Sequence, residues 1–362
     1  MADHRPRRVA ALLEQLDRAH LDALLVTSLP NVRYLTGFSG SSGLLLVSRR
    51  EVLFLSDFRY ETQAAEQVGD LARISIQPQS LWTGLWQLLP AVAGIDVIGF
   101  ESGALLHRDF QRLLESGARW QWRPTSELVE SLRERKDADE VEAVRRAGEI
   151  ATSALDRTLG ALHVGMTELE VAGTLEKALR DAGSEGFPFP TIVASGERTA
   201  LPHARSSSRP VAAGELVLLD FGAEAGGYCA DVTRTVVLGR ATAEQREVYE
   251  VVQGAQAAAL AGVRAGMTGR DADGLARGYI ERGGYGERFG HGLGHGLGLE
   301  VHEAPRLSRT ADAPLPTGAV VTIEPGIYLP GWGGVRIEDD VHLGADGPEL
   351  LTHFTRDLME LA

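Results

Sequence analysis

The sequence predicts an α+β chain of two domains, and three observations carry that prediction. The chain has 362 residues, more than one hydrophobic core usually supports, which favours two domains of roughly 100 to 250 residues. Hydrophobic residues make up 44% and charged residues 24% of it, the composition of an ordinary folded protein. The apolar pattern alternates between helical and strand periods through the first third, is interrupted by the charged stretch Ser131 to Glu142, and resumes as long helices interleaved with β-rich segments. Residues 1–134 are therefore expected to form a smaller α/β domain and residues 135–362 a larger α+β domain of catalytic size.

Along the chain, a helical period covers Arg7 to His20, and strands are expected at Asp22 to Thr27, Gly43 to Ser48 and Glu51 to Ser56, with further alternation through Trp122. From Asp139 an amphipathic helix runs to about Leu162. Three more helices are expected at Thr167 to Ala182, Thr242 to Ala265 and Gly269 to Gly283. Between and after them, Gly214 to Gly239, Ala319 to Glu324 and Val335 to Leu343 read as β segments that include at least two hairpins. Glycines cluster between Gly283 and Gly298, and no long repeat or low-complexity tract is present.

Charge excludes two classes of partner. Against 36 Lys+Arg stand 50 Asp+Glu, a net charge of −14, so the field of the protein repels nucleic-acid phosphates and anionic membrane surfaces. The one cysteine, Cys229, cannot form an internal disulfide. No apolar run approaches the length of a membrane span and the start, MADHRPRR, lacks the apolar stretch of a signal peptide, so a cytoplasmic protein is expected.

Three segments carry the chemistry. In the first, an apolar run ending in Asp220, a Gly-rich turn and a β-branched run after Asp231 read as a hairpin. A turn centred on Ala225 and Gly226 places Asp220 opposite Asp231; sliding the turn by one position makes them diagonal neighbours on the same face. Two carboxylates about 5 Å apart among apolar residues need a positive partner, and a divalent metal is the natural one. On the hairpin alone, one aspartate at a strand end and the other capping a turn is an equal alternative. The second segment, His291 to Glu303, has glycines at 292, 294, 296 and 298, which disfavour a helix and put His291 and His295 on one face of an extended backbone. His302 has the opposite parity and needs a bulge to join them; a Gly-rich loop with partly exposed histidines is the alternative. In the third, a strand ending at Glu324, a Gly/Pro loop and a strand through Glu338 carry one inward-capable carboxylate each. Ion pairs with arginines such as Arg336 are the alternative for each glutamate alone. Four carboxylates and one imidazole suit Mn²⁺, Co²⁺ or Zn²⁺ better than thiolate-loving metals.

In order and local context, Asp220, Asp231, His295, Glu324 and Glu338 resemble the ligand set of the dinuclear metallopeptidases with the pita-bread fold. The whole chain resembles the Xaa-Pro peptidase branch, prolidase and aminopeptidase P, closely in GHGLGLEVHE, TIEPGIY and GVRIEDD and more loosely in NVRYLTGFSGS and DFRY. The resemblance implies a C-terminal pita-bread domain behind a creatinase-like N-terminal domain, and two divalent ions per chain, manganese first with cobalt or zinc as alternatives. Asp220 would hold one ion, His295 and Glu324 the other, and Asp231 and Glu338 would bridge them. Glu338 would serve as general base, His203, His291 and His302 as substrate-orienting and proton-handling groups, and Arg306, Arg336 and Tyr328 as substrate-contacting residues. Arg306 resembles the prolidase arginine that binds the carboxylate of a dipeptide's proline; a solvated loop arginine is the equal alternative. The implied activity is hydrolysis of the bond between an N-terminal residue and proline, in dipeptides or, alternatively, in longer peptides. A non-catalytic peptide-binding module is the reading from another class. Family members commonly pair through the N-terminal domain, which implies a homodimer with the apolar, glycine-rich loop Tyr34 to Ser42 able to reach a neighbour's active site.

Overall fold

A computed structural model describes residues 3–362; the first two residues of the MADHRPRR start lie outside it. The chain divides into two compact units, Met1–Arg133 and Glu134–Ala362.

In the first unit a six-stranded mixed sheet has the strand order Arg73–Gln77, Val52–Asp57, Leu44–Ser48, Ala23–Val26, Val97–Glu101, Gln121–Thr125. Ala23–Val26 pairs antiparallel with Leu44–Ser48 and parallel with Val97–Glu101. Both strands are buried throughout or nearly so, which is why they read as continuous apolar runs. Helix Arg5–Arg18 buries Val9, Leu12 and Leu16, residues at the helical period. Tyr34 to Ser42 departs from its expected form. Leu29–Thr36 is helix, Gly37 ends it in the left-handed region (φ 79°), and Tyr34 and Phe38 are buried in their own unit, Phe38 against Phe54 and Tyr60. The apolar side chains of this segment are spent on the core, leaving Gly37, Ser39 and Ser41 exposed. The segment is thus part helix and part loop, with its apolar side chains committed to its own unit.

The second unit is built twice over from a helix pair and a sheet. Helices Ala138–Ala161 and Glu168–Asp181 cover a four-stranded sheet of order Glu360–Leu361, Val232–Leu238, Leu216–Phe221, Ile192–Ser195. Helices Ala243–Gly262 and Gly269–Arg282 cover a five-stranded sheet of order Glu303–Leu307, Gly294–Gly296, Val320–Ile323, Asp339–Gly344, Gly347–Leu350. The first three of these helices start at capping boxes, Asp137 with Glu140, Thr167 with Glu170 and Thr242 with Gln245, which satisfy orphan backbone donors at both ends of the pair. The two sheets touch at a bridge between Thr233 and Glu338. Val335 to Leu343, expected as one β segment, is two strands, Gly333–Arg336 and Asp339–Gly344. Ile337 and Glu338 lie in the break because Glu338 N–H donates to Thr233 O (3.1 Å) on the other sheet. Among the described residues no helix is long and apolar enough to cross a membrane.

Candidate active site

The aspartate hairpin has its register set by a turn at Gly226 and Gly227, both with positive φ. Asp220 lies opposite Thr233 rather than Asp231, a shift of two from the directly opposed pairing. Parity is preserved, so the two carboxylates remain diagonal neighbours on one face. Both are buried, Asp220 at 8% and Asp231 at 5% exposure.

His295 sits in the three-residue strand Gly294–Gly296 between two others. A Cβ at Gly294 would strike Thr322 O, and one at Gly296 would strike Ala304 O, so only glycine lets the flanking strands close on the histidine. Between His295 and Gly296 the register to the next strand shifts, from His295 opposite Arg306 to Gly296 opposite Glu303. This irregularity supplies the bend that His302 requires: its ring packs edge-on to that of His295 with centroids 4.4 Å apart. His295 Nδ1 lies 3.0 Å from Gly296 O, which can only accept, so Nδ1 carries the proton. Nε2 is left with its lone pair facing Glu324 Oε1 (3.3 Å) and Asp231 Oδ2 (3.9 Å). Burial pulls the imidazole pKa down to about 4, so the ring is neutral at pH 7.

Glu324 follows the strand Val320–Ile323 and accepts from the Thr322 hydroxyl (3.1 Å). Glu338 accepts from the Thr233 hydroxyl at Oε2 (2.6 Å). Ligand atoms of Asp231, His295 and Glu338 lie within 4.8 Å of one another. Asp220 lines the same cavity with its Oδ2 on the Arg336 guanidinium. Burial, reinforced by the neighbouring carboxylates, pushes Asp231 and Glu338 well above the ordinary carboxylate range, and burial raises Glu324 to about 7. Asp231 Oδ1 is buried with no hydrogen-bond partner among the described residues. An orphaned carboxylate oxygen, an imidazole lone pair and carboxyls starved of positive charge make a donor set that fits a divalent cation.

A cavity of about 850 Å³ opens over this cluster, lined by Asp220, Asp231, His295, Glu324 and Glu338 together with His203, His291, His302, Arg306 and Arg336, and by the apolar wall Phe189, Pro190 and Ile192. His203, His302 and Arg306 are exposed side chains within it. His291 is different, because both of its ring nitrogens are engaged: Nδ1–H donates to Gly292 O (2.8 Å) and Nε2 accepts from the Tyr328 hydroxyl (2.9 Å). Tyr328, expected to contact substrate, is buried, and its hydroxyl also accepts from Arg336 Nη1 (2.8 Å). Arg336 in turn spends its guanidinium on Asp220, Tyr328 and the Thr233 hydroxyl. Arg336 and Tyr328 thus brace Asp220 and His291, with donors already occupied before any substrate arrives.

Sequence reasoning missed Asp340 and Asp339. Asp340 is buried, accepts from Asp231 N–H (3.0 Å) and has an unpartnered Oδ1. Asp339 is fully buried and gathers Arg234, Arg356, Gln256 and Thr352. The visible signal was three consecutive acids, Glu338-Asp339-Asp340, inside a strand-like run; acids there must be partnered or functional.

The family descriptions "Creatinase/Prolidase N-terminal domain" and "Metallopeptidase family M24" match residues 8–135 and 142–345. A relative named Xaa-Pro dipeptidase from Pyrococcus horikoshii is 35% identical over 354 residues, covering 97% of this chain and 98% of its own length. The solved structure of an Xaa-Pro dipeptidase from Bacillus anthracis superposes with a TM-score of 0.95 at 38% identity over 99% of this chain and 100% of its own. That of an X-Pro aminopeptidase from Thermotoga maritima does so with a TM-score of 0.90 at 38% identity over 96% of this chain and 100% of its own.

Proposed function

The chain belongs to metallopeptidase family M24, and from that premise we propose that it hydrolyses the peptide bond between an N-terminal residue and proline, with Xaa-Pro dipeptides as substrates. The observation that carries the reading is the convergence of Asp231, His295 and Glu338 within 4.8 Å at the floor of the Arg306-lined cavity. Asp220, Asp231, His295, Glu324 and Glu338 would hold two divalent ions, manganese first and cobalt or zinc next. Bound there, such ions supply Lewis acidity and lower the pKa of water to near neutrality.

The protein's own groups do the rest. The Thr233 hydroxyl pins Glu338 Oε2, leaving Oε1 to take up the proton of the attacking water as general base. His302, which stands against His295 and lines the cavity, serves as hydrogen-bond donor to the oxygen on which charge develops at the scissile carbonyl. A prolyl amide has no N–H to recognise, so Phe189, Pro190 and Ile192 hold the ring by apolar contact. Arg306 takes the proline carboxylate, which a guanidinium can bind with two parallel hydrogen bonds. His203 orients the amino end, and His291, fixed by Gly292 and Tyr328, shapes the wall without offering a free nitrogen.

Chelation followed by metal addition tests this. Xaa-Pro cleavage should vanish in stripped protein and return with Mn²⁺; full activity in stripped protein would end the proposal. A second reading, aminopeptidase action on longer peptides, is favoured by a second cavity that shares His291, Gly292 and Ser308 with the first.

A further inference from the structure

That second cavity encloses about 950 Å³ and is walled by the end of helix Gly269–Arg282, by residues 286–292 and by Ser308, Arg309 and Thr310. Three residues, His291, Gly292 and Ser308, line both cavities, so the two spaces adjoin. Its buried arginine, Arg277, is fully engaged, holding both oxygens of Asp273 (2.6 and 2.8 Å) and the carbonyls of Phe289 and His291. Arg288 and Arg309 are exposed and pair with no carboxylate among the described residues, and neither does Arg306 in the first cavity.

The order of residues along one segment links the two spaces. Arg306 lines only the first cavity, Ser308 lines both, and Arg309 lines only the second. Three residues of chain span at most about 11 Å, the length that two or three additional residues of an extended peptide cover. We infer that the second cavity seats the residues that follow proline in a longer peptide, with Arg309 binding the C-terminal carboxylate of that peptide as Arg306 binds that of a dipeptide. Glu281 and Glu287 face the same space. They balance the two free arginines in formal charge, so the site is not a general anion trap. It discriminates by position, placing the carboxylate beside Ser308 and disfavouring acidic side chains opposite.

The inference rests on the Xaa-Pro reading for its substrates, and the test separates the two. Metal-loaded wild type and Arg309→Ser are compared on Xaa-Pro, on the tetrapeptide Xaa-Pro-Ala-Ala and on the same tetrapeptide with an amidated C-terminus. Arg309→Ser should raise KM for the free-acid tetrapeptide about tenfold at constant kcat, with the amide and the dipeptide moved less than about twofold. In wild type the amide should already show the raised KM. Equal KM for acid and amide in wild type, an equal loss on the dipeptide, or no cleavage of tetrapeptides by a wild type that cleaves Xaa-Pro would each overturn the second seat. Absence of all Xaa-Pro cleavage would instead remove the functional reading. Calorimetric titration of Pro-Ala-Ala acid against its amide, without added metal, then still decides: a preference of about tenfold for the acid that disappears in Arg309→Ser supports the seat, and no preference refutes it.

Discussion

Arginines in this protein illustrate how surroundings set a residue's task. Arg234 and Arg336 are buried and saturated, the first by Asp339 and the carbonyls of Thr233, Glu338, Phe354 and Thr355, the second by Asp220, Tyr328 and Thr233. Removing Arg336 strands the buried Asp220, and removing Arg234 takes from the buried Asp339 one of its two cations and leaves Arg356, so truncation of either reports on folding before it reports on catalysis. Arg306 is exposed and lies opposite His295 in the strand register, with its guanidinium free. Its removal leaves no buried charge, and a kinetic reading is clean. Arg306→Ala should raise KM for Xaa-Pro by about 1.5 kcal/mol, roughly tenfold, the low end for a charge-assisted pair because the group is wet. Metal content and kcat should hold, and Xaa-Pro-Ala-Ala should be nearly unaffected, the converse of the Arg309→Ser pattern. Steady-state kinetics on the two substrates checks this, and equal losses on both would assign Arg306 to support of its own loop.

At the scale of elements, what was legible followed local rules. The starts expected at Thr167 and Thr242 fall on the residues that cap those helices with a partner three residues on, whereas the helix expected from Asp139 begins at Ala138 behind the cap Asp137. The shared face of Asp220 and Asp231 was visible because parity survives a slip of the turn. What escaped depends on chain distant in sequence. The bend that turns His302 towards His295 is imposed by the strands on either side of Gly294–Gly296, and the break at Glu338 by a hydrogen bond to Thr233 on the other sheet. No pattern within Val335 to Leu343 marks that break, and Tyr328 gave no sign that its hydroxyl would be closed off by His291 and Arg336. The glycines flanking His295 connect the two levels. Gly296→Ala must displace the Ala304 backbone, at about 1 to 3 kcal/mol, and should lower the melting temperature by several degrees while reducing turnover through misplacement of His295. Gly274→Ala, exposed in a helix with nothing near its Cβ position, should be neutral or slightly stabilising. Melting curves of both variants check the contrast, and a neutral Gly296→Ala would show that the strand pair has slack.

The whole molecule holds its most acidic interior where its two sheets meet. Asp231, Glu338 and Asp340 are buried there with Glu324 beside them, and burial raises all four pKa values, Glu324 to about 7, with repulsion between carboxylates the next cause for Asp231 and Glu338. In metal-free protein the folded state therefore binds more protons than the unfolded state once pH exceeds about 4, where unfolded carboxyls ionise. Stability contributed by these groups is present below that pH and is lost as pH rises towards and past 7. His295 acts oppositely between about 4 and 6.5, since its folded pKa is lowered and folding excludes its proton; it arrives at neutral pH already in the form that binds metal. A divalent cation must displace the carboxyl protons to bind, so its affinity rises with pH, and ligand linkage converts that affinity into stability, about 2.7 kcal/mol at a hundredfold excess over Kd. Surface carboxylates with lowered pKa, such as Glu215 beside Arg209, tilt the absolute curve the other way but are common to both forms. The difference in melting temperature between Mn²⁺-loaded and stripped protein cancels them. That difference should be small near pH 5 and grow steadily to pH 8, with protons released on titration of the stripped protein with Mn²⁺ at pH 6.5. A metal-induced shift that is constant across this range, or Mn²⁺ binding without proton release, would mean that the buried carboxyls are already ionised in the empty site and that Arg336 alone carries their charge.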